Sequence, residues 1–465
     1  MSRSYKPWSP GQGFLLPLSP KDWLPEGHLV YFLLDVVDEL DLSEIYDHYE
    51  KRRQGRAAYS PRMMTALLLY GYCVGVPSSR KIEHRTYEDL AFRVLTNDQH
   101  PDHSRINAFR KENLGALSRL FVQVLLLCQE AGLVRLGHVA LDGSKFKANA
   151  SKRKAMSYDR MVKEEERLQK LVEELLEKAR LVDEAEDARF GAGNQDELPE
   201  DLRRAESRLE VIRNAKAALE TQARQRKEEA EGVTPSSPEP SGEDDEDSPP
   251  PPAPELPSHK VQITKEGKPK PKSQRNFTDP ESKIMKSSAD GWVQAYNCQI
   301  VVDDEAQVIV AQAVTDQPPD CQHLRPLLDQ VGENLGELPD KLSADSGYCS
   351  EANIHYAEDQ LVTPYIATGR QRVDQRPTVT RGRPPSGLSQ REKMARRLAT
   401  KAGAAVYARR KAIVEPVFGQ IKEARGLRRF LLRGLEKVRG EFGLIALTHN
   451  LLKLFRHRSP GPAWA

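Results

Sequence analysis

Apolar positions recur at helical spacing from the start of the interpretable chain. Leu29, Phe32, Leu33, Val36, Val37 and Leu40 fall on one helical face. Ser60-Pro61 predicts a second helix start, with Ser60 at the N-cap and Pro61 at the first helical position, and its apolar face continues through Met64, Leu67, Leu68 and Tyr72. Gly75 to Ser79 breaks the pattern, which resumes over Arg80–Leu90. After His100-Pro101-Asp102-His103, Ser104 is placed to cap a helix carrying Ile106, Phe109 and Arg110. Helix, short turn, helix with exposed Arg and Lys suits a DNA-binding helix-turn-helix and equally an ordinary helical bundle.

The period then changes. His138 to Asp142 is a short apolar run that reads as a strand ending in a carboxylate, with Gly143 allowing a tight exit. Between Ser157 and Gly232, Leu168, Leu171, Leu175, Leu202, Leu209 and Ile212 stand at heptad-like spacing in a Glu/Lys/Arg-rich background. That predicts a helical hairpin or coiled coil, interrupted near Gly191-Ala192-Gly193-Asn194. Thr234 to Pro257, with its Glu243–Asp247 acid run and Pro249–Pro252, has too little to bury and is expected to be disordered. Residues 152–277 thus read as one large insertion. Strand character returns at Val293–Val302 and Val308–Val314, an antiparallel hairpin turning at Asp303-Asp304. A helix through Leu324, Leu327, Leu328 and Val331 follows. Then come a strand at Lys341–Ala344 leading to Asp345, a helix at Ala352–Gln360 and a strand at Leu361–Ala367. Arg391 to Phe455 is helical almost throughout.

Composition refines this only in places. The length of 465 residues suggests two or three folded units. The net charge of +2 hides an asymmetry, with acid in the middle and base between Arg391 and Glu441, which suits a polyanionic partner. Cys73, Cys128, Cys298, Cys321 and Cys349 are widely spaced and odd in number, so free thiols in a reducing compartment are expected and a zinc site is not. The N-terminus has no signal-peptide pattern, and the longest apolar runs are too short to span a bilayer. The expectation is a soluble, cytoplasmic protein with no membrane partner.

With the insertion set aside, acids stand at the ends of two strands in an α/β unit, an architecture that places ligands in a crevice. Three carboxylates with open positions suit Mg²⁺ or Mn²⁺, hard ions that prefer oxygen. A pair of such ions can serve both sides of an in-line displacement at phosphorus.

Local motifs select which acids. Val139-Ala140-Leu141-Asp142-Gly143-Ser144, Ala344-Asp345-Ser346-Gly347-Tyr348 and Val414-Glu415-Pro416-Val417-Phe418-Gly419-Gln420-Ile421-Lys422 resemble the DDE transposases of bacterial insertion sequences, in the group with a Tyr-Arg-Glu-Lys signature. Tyr407 and Arg410 have the family's first spacing, and Glu415 and Lys422 its last. The gap from Arg410 to Glu415 is one residue longer than the family's. Lys411 has the family's distance to Glu415 but stands four from Tyr407, so both bases remain candidates. Pro416 disfavours helical geometry at Glu415 and is expected to kink the helix or start a new one.

The resemblance implies a ribonuclease-H-like α/β catalytic domain, a mixed sheet flanked by helices, at 136–151 and 278–455. An N-terminal helical domain at 1–135, a candidate for DNA binding, the insertion at 152–277 and a tail at 456–465 complete the expected organisation. It implies Asp142, Asp345 and Glu415 as catalytic metal ligands for two Mg²⁺ or Mn²⁺ ions. Tyr407, Arg410, Lys411, Lys422, Arg425, Arg428 and Arg429 are the candidate DNA contacts. The implied partners are double-stranded DNA (terminal inverted repeats and target) and a second copy in a homodimer on DNA. The implied activity is cleavage and strand transfer; the rival readings are a nuclease of the same fold and a non-catalytic DNA-binding derivative.

Overall fold

The computed structural model describes residues 22–50, 58–190, 200–232, 256–287, 290–369, 380, 382 and 385–458. The interruption at 191–194, residues 234–255 of the acidic, proline-rich stretch and the end of the tail lie outside the described residues.

The N-terminal periodicity becomes helices α1 (Leu29–Glu39), α2 (Ser43–Glu50), α3 (Pro61–Cys73), α4 (Ser79–Glu88), α5 (Leu90–Thr96), α6 (His103–Glu112) and α7 (Leu114–Glu130). Two local expectations need correction. Ser60 stands at the N-cap of α3, but its side chain caps nothing; Pro61 and burial of Met64, Leu67 and Leu68 define that start. The cap of α6 is Asp102 rather than Ser104, because the Asp102 carboxylate accepts the Arg105 N–H at 3.0 Å. Arg110, carried on α6 with Ile106 and Phe109, is buried like them. It donates to the Pro77 carbonyl at 2.9 Å and to the Tyr72 hydroxyl at 3.3 Å.

Strand β1 (Val139–Lys147) leads to β2 (Ala155–Ser157), and then to the long helices α8 (Tyr158–Phe190) and α9 (Glu200–Gly232). β3 (Gln274–Asn276) returns antiparallel to β2, so the segment between them leaves and rejoins through a two-stranded ribbon. α8 and α9 pack on each other around their own small core, which includes Met161, Leu168, Leu209, Ile212 and Leu219. The chain continues through β4 (Lys283–Ser287), β5 (Gly291–Asp303), β6 (Ile309–Thr315), α10 (Leu324–Leu335), β7 (Lys341–Ala344), α11 (Glu351–Asp359) and β8 (Thr363–Ile366). α12 (Gln390–Leu398), α13 (Lys401–Gly419) and α14 (Leu435–Arg458) close it.

The result is an α/β fold: a mixed sheet in the order β4-β5-β1-β7-β8, with β6 beside β4 on the same edge of β5. β1 runs antiparallel to β5 and parallel to β7, and β7 runs parallel to β8. Helix α14 ties this sheet to the N-terminal helices, packing against α7, α3 and β6 within one continuous core. Gly440 makes the α7–α14 crossing close; a Cβ there would run into the Leu114 side chain.

Two side chains of α14 finish the β5–β6 turn. Asn450 exchanges hydrogen bonds with the backbone of Ile309 at 2.8 and 2.9 Å, and the buried His449 Nε2 donates to the Gln307 carbonyl at 2.9 Å. Burial lowers the His449 pKa to about 3 and that of His323 to about 4. Both lie below the usual value of 6.5 in the unfolded chain, so below that pH the unfolded state binds protons the fold refuses. Stability should fall as pH drops from 6.5 towards 4, by up to about 1.4 kcal/mol per pH unit per histidine. Urea midpoints between pH 7 and 4.5 would measure this, and His449→Gln should flatten the slope. An unchanged slope in that variant would refute the assignment.

Candidate active site

Parallel pairing of β1 with β7 aligns Leu141 with Ala344, and the next step of that register sets Asp142 beside Asp345. Neighbouring strands lie about 4.8 Å apart, which brings the two carboxylates together from chain positions some two hundred residues apart. Asp142 Oδ1 accepts its neighbour Gly143's N–H at 2.9 Å, and Oδ2 accepts from Arg410 Nη1 at 3.3 Å. Burial pushes the Asp142 carboxyl up to about 6; Arg410 pulls it down, and Asp345 and Asp320 add repulsion. Asp345 caps the short turn at Ser346–Tyr348, with Oδ1 accepting the Gly347 N–H at 2.8 Å.

Asp142 does not end its strand, as its sequence context predicted. β1 runs on to Lys147, and Gly143 lies inside it, opposite Gln299. The glycine is there for space rather than for an exit, since a Cβ would collide with the Gln299 amide. Gly143→Ala should cost about 1–3 kcal/mol through overpacking, measurable as a lower urea midpoint; an unshifted midpoint would mean Gln299 moves freely.

That amide belongs to a polar hub the motifs did not reveal. Asp320 Oδ1 accepts from Asn297 and Gln299 at 2.7 Å each and from Lys145 Nζ at 3.3 Å. Tyr348 in turn donates to Gln299. A Cβ on Gly347 would stand 3.0 Å from Asp345 Oδ1 and 3.4 Å from Asp320 Oδ2, so the hub touches the site. One signal was present in the sequence: Asn297 and Gln299 alternate on one face of a largely apolar strand, and buried amides require partners. Tyr296, on the other face, donates to Asp279 at 2.8 Å within the core. Asp316 accepts the His259 N–H at 2.7 Å, and His323 lies against Thr315; both are structural placements.

Helix α13 crosses this end of the sheet. Tyr407 and Arg410, three residues apart, stack with the guanidinium 5.9 Å from the ring centroid, and Arg410 then reaches Asp142. The expected restart at Pro416 does not occur: α13 runs through it to Gly419. Proline deprives the Ala412 carbonyl of its helical donor, and the Gln307 side chain supplies the bond instead, at 2.9 Å. Glu415 is exposed on this helix, about 7.5 Å along the axis from Arg410. Lys411 is exposed too, and no Lys411–Glu415 ion pair exists among the described residues.

A π-turn over Gln420–Ala424 then rotates the chain relative to a regular helix. Lys422 turns onto β1, donating to Ser144 Oγ at 2.6 Å and the Lys145 carbonyl at 2.9 Å, with its ammonium 4.4 Å from the Phe146 ring. The helical stretch expected from Arg391 onward is broken here: residues 425–434 form an extended strap before α14. Arg425 is not on a surface track. It is 8% exposed and bonds Thr448 Oγ1 at 2.9 Å and the Ile445 carbonyl at 3.2 Å, so packing against α14 removes it from any polyanion. Arg428 is exposed and paired with Glu423, and Arg429 is exposed.

The structure therefore joins Asp142, Asp345, Tyr407 and Arg410, brings Lys422 to the same strand, and leaves Glu415 and Lys411 on the open side of α13. Among the described residues no group of three or more Asp, Glu, His or Cys side chains is gathered tightly enough to hold a metal ion by itself.

A family described as Transposase DDE domain matches residues 258–451, and one described as Transposase domain (DUF772) matches residues 18–112. Asp345 and Glu415 lie inside the first match, and Asp142 lies between the two. No curated protein and no solved structure matches the chain.

Proposed function

Because the chain belongs to the DDE-type transposases of the insertion-sequence kind, we propose that it cuts DNA at the ends of a mobile element and joins them to target DNA at the site of Asp142, Asp345 and Glu415. The observation that carries this is the placement of Asp142 on β1 beside Asp345, the residue that follows the parallel strand β7, with Arg410 of α13 against Asp142. The strand order supports a ribonuclease-H-like catalytic domain: a long antiparallel meander of β1, β5 and β6, then β7 and β8 added parallel on the far edge of β1.

The donor chemistry fits Mg²⁺ or Mn²⁺. Such ions commonly take one or two protein carboxylates and complete their shell with water and substrate phosphates, so Asp142 and Asp345 suffice to begin a site. Glu415 is the third ligand in this reading, on the open side of α13 where DNA enters. When bound, the ions supply charge neutralisation at the scissile phosphate and acidify the attacking oxygen. The chain's own groups do the rest. Arg410 balances the paired acids before substrate arrives, and the Asp320 hub holds the Asp345 turn. Tyr407 stiffens Arg410, and Lys422, Lys411, Arg428 and Arg429 offer positive charge to the DNA backbone. Water adds to phosphorus in line and the 3′ oxygen leaves as a hydroxyl. That hydroxyl then attacks a target phosphodiester, one P–O bond forming as another breaks.

In this reading the N-terminal helices contact the terminal repeats, two copies act together on two ends, and the work is cytoplasmic. Labelled element-end DNA with Mg²⁺, followed by a plasmid-joining assay, tests it. Cleavage with joining is expected. Cleavage without joining would reduce the protein to a nuclease, and DNA binding without cleavage in Mg²⁺ or Mn²⁺ would sink the catalytic reading.

A further inference from the structure

Beyond the acids, β5 is longer than its partner. Its pairing with β1 stops at Lys147 opposite Ala295, while β5 continues back to Gly291. Ala148 still donates its N–H to the Gln294 carbonyl at 2.9 Å; the chain then swings away through residues 149–154, and the strap at 425–434 comes in from the other side, joined by the Phe430 N–H to the Lys147 carbonyl at 2.9 Å. What remains between them is an open groove of about 480 Å³.

Its lining is one-sided in charge. Lys147, Lys152, Lys154, Arg429 and Arg433 line it, and among the described residues no acid does. Lys147 is already neutralised by Asp290 at 2.7 Å, but Lys152, Lys154 and Arg429 have no ion pair among the described residues. Arg433 is oriented by its Nε donating to the Asn149 carbonyl at 2.9 Å, which leaves the outer guanidinium nitrogens free of that bond. Trp292 stands in the same groove with 58% of its surface exposed. A tryptophan so exposed among cations is expensive to leave in water and has no role in the core.

Unpaired nucleic acid satisfies both features at once, because phosphates need the cations and a base offers a face to the indole. A duplex would present only phosphates and leave the indole uncovered. We propose that this groove binds an unpaired stretch of a DNA strand, one base stacking on Trp292 and the flanking phosphates lying against Lys152, Lys154, Arg429 and Arg433. The site rests on the transposase reading for DNA as its occupant. It lies five residues along β1 from Asp142, about 17 Å at the rise of a strand, so a single bound strand reaches both.

Fluorescence anisotropy in EDTA, where no cutting interferes, tests the groove with a labelled single strand of about 20 nucleotides and with the corresponding blunt duplex. Trp292→Ala should weaken single-strand binding about tenfold, the size of one base–aromatic stack, and leave duplex binding nearly unchanged. Trp292→Phe should recover most of the loss. Lys152→Glu with Lys154→Glu should lower the salt dependence of single-strand binding by about one to two units of slope. Unchanged single-strand binding by Trp292→Ala, equal losses on both DNAs, or a wild-type protein that binds no single strand would overturn the proposal. Each can occur while Mg²⁺-dependent cutting of duplex ends persists, so failure here is distinct from failure of the transposase reading.

Discussion

Asp142→Asn and Asp345→Asn are each expected to lower cleavage of element-end DNA about a thousandfold or more while the protein stays folded. Each substitution removes an anionic oxygen from a site proposed above to hold cations against a phosphate, and an electrostatic term of that kind is worth several kcal/mol at the transition state. The stability of the two variants gives the assay its control. The Asp142 carboxyl titrates near 6 in the fold against 3.8 normally, so at pH 7 its ionisation works against folding rather than for it. Asp142→Asn should therefore unfold at the same or a higher urea concentration than wild type, the pattern of a group kept for chemistry at the expense of stability. Glu415→Gln should match the loss of activity with no change in stability, because that side chain is exposed. Full cleavage by Glu415→Gln would remove it from the site and leave Asp142 and Asp345. Cleavage undiminished in all three variants would end the assignment altogether.

The contrast between Asp345 and Asp142 explains how much of this site was legible beforehand. β7 is four residues of core strand ending in an Asp-Ser-Gly turn, and local pattern placed both its bounds and its acid. Local pattern ends β1 at Asp142 because Gly143 looks like an exit, whereas the small size of the glycine answers to Gln299 on a neighbouring strand. The same limit governs the helices. Pro416 breaks a helix by local rule, yet Gln307, from a turn far away in sequence, satisfies the carbonyl that proline strands. Arg425 and Arg428 are alike in a basic run; only the approach of Thr448 on α14 makes one a core residue and leaves the other at the surface. Periodicity and turn chemistry report on a segment's own faces. Which face meets which neighbour is decided by contacts the segment does not contain.

Glu441→Leu should destabilise the protein by about 3–5 kcal/mol, a large part of the total for an ordinary domain. Glu441 is buried on α14, yet it carries a carboxylate. Its oxygens accept the Leu431 N–H at 3.0 Å and the Leu432 N–H at 2.9 Å from the strap, and the Tyr72 hydroxyl at 3.4 Å from α3. Arg110 of α6 lies behind Tyr72 and supplies the opposing charge. Leucine would fill the volume but strand two buried backbone donors and leave Arg110 buried without a counter-charge, the costly half of a broken pair. Glu441→Gln retains an acceptor and should cost less, about 1–2 kcal/mol. Burial raises the Glu441 pKa above its usual 4.5, so ionisation opposes folding as pH rises through that range, and the glutamine variant should lose that pH dependence. Urea unfolding at pH 5 and pH 7 reads both effects; a leucine variant as stable as wild type would show that the strap holds without this carboxylate. The same strap carries Arg429 and Arg433 into the basic groove, so its loosening in Glu441→Leu should also weaken single-strand binding, whereas Glu441→Gln should leave that binding close to wild type.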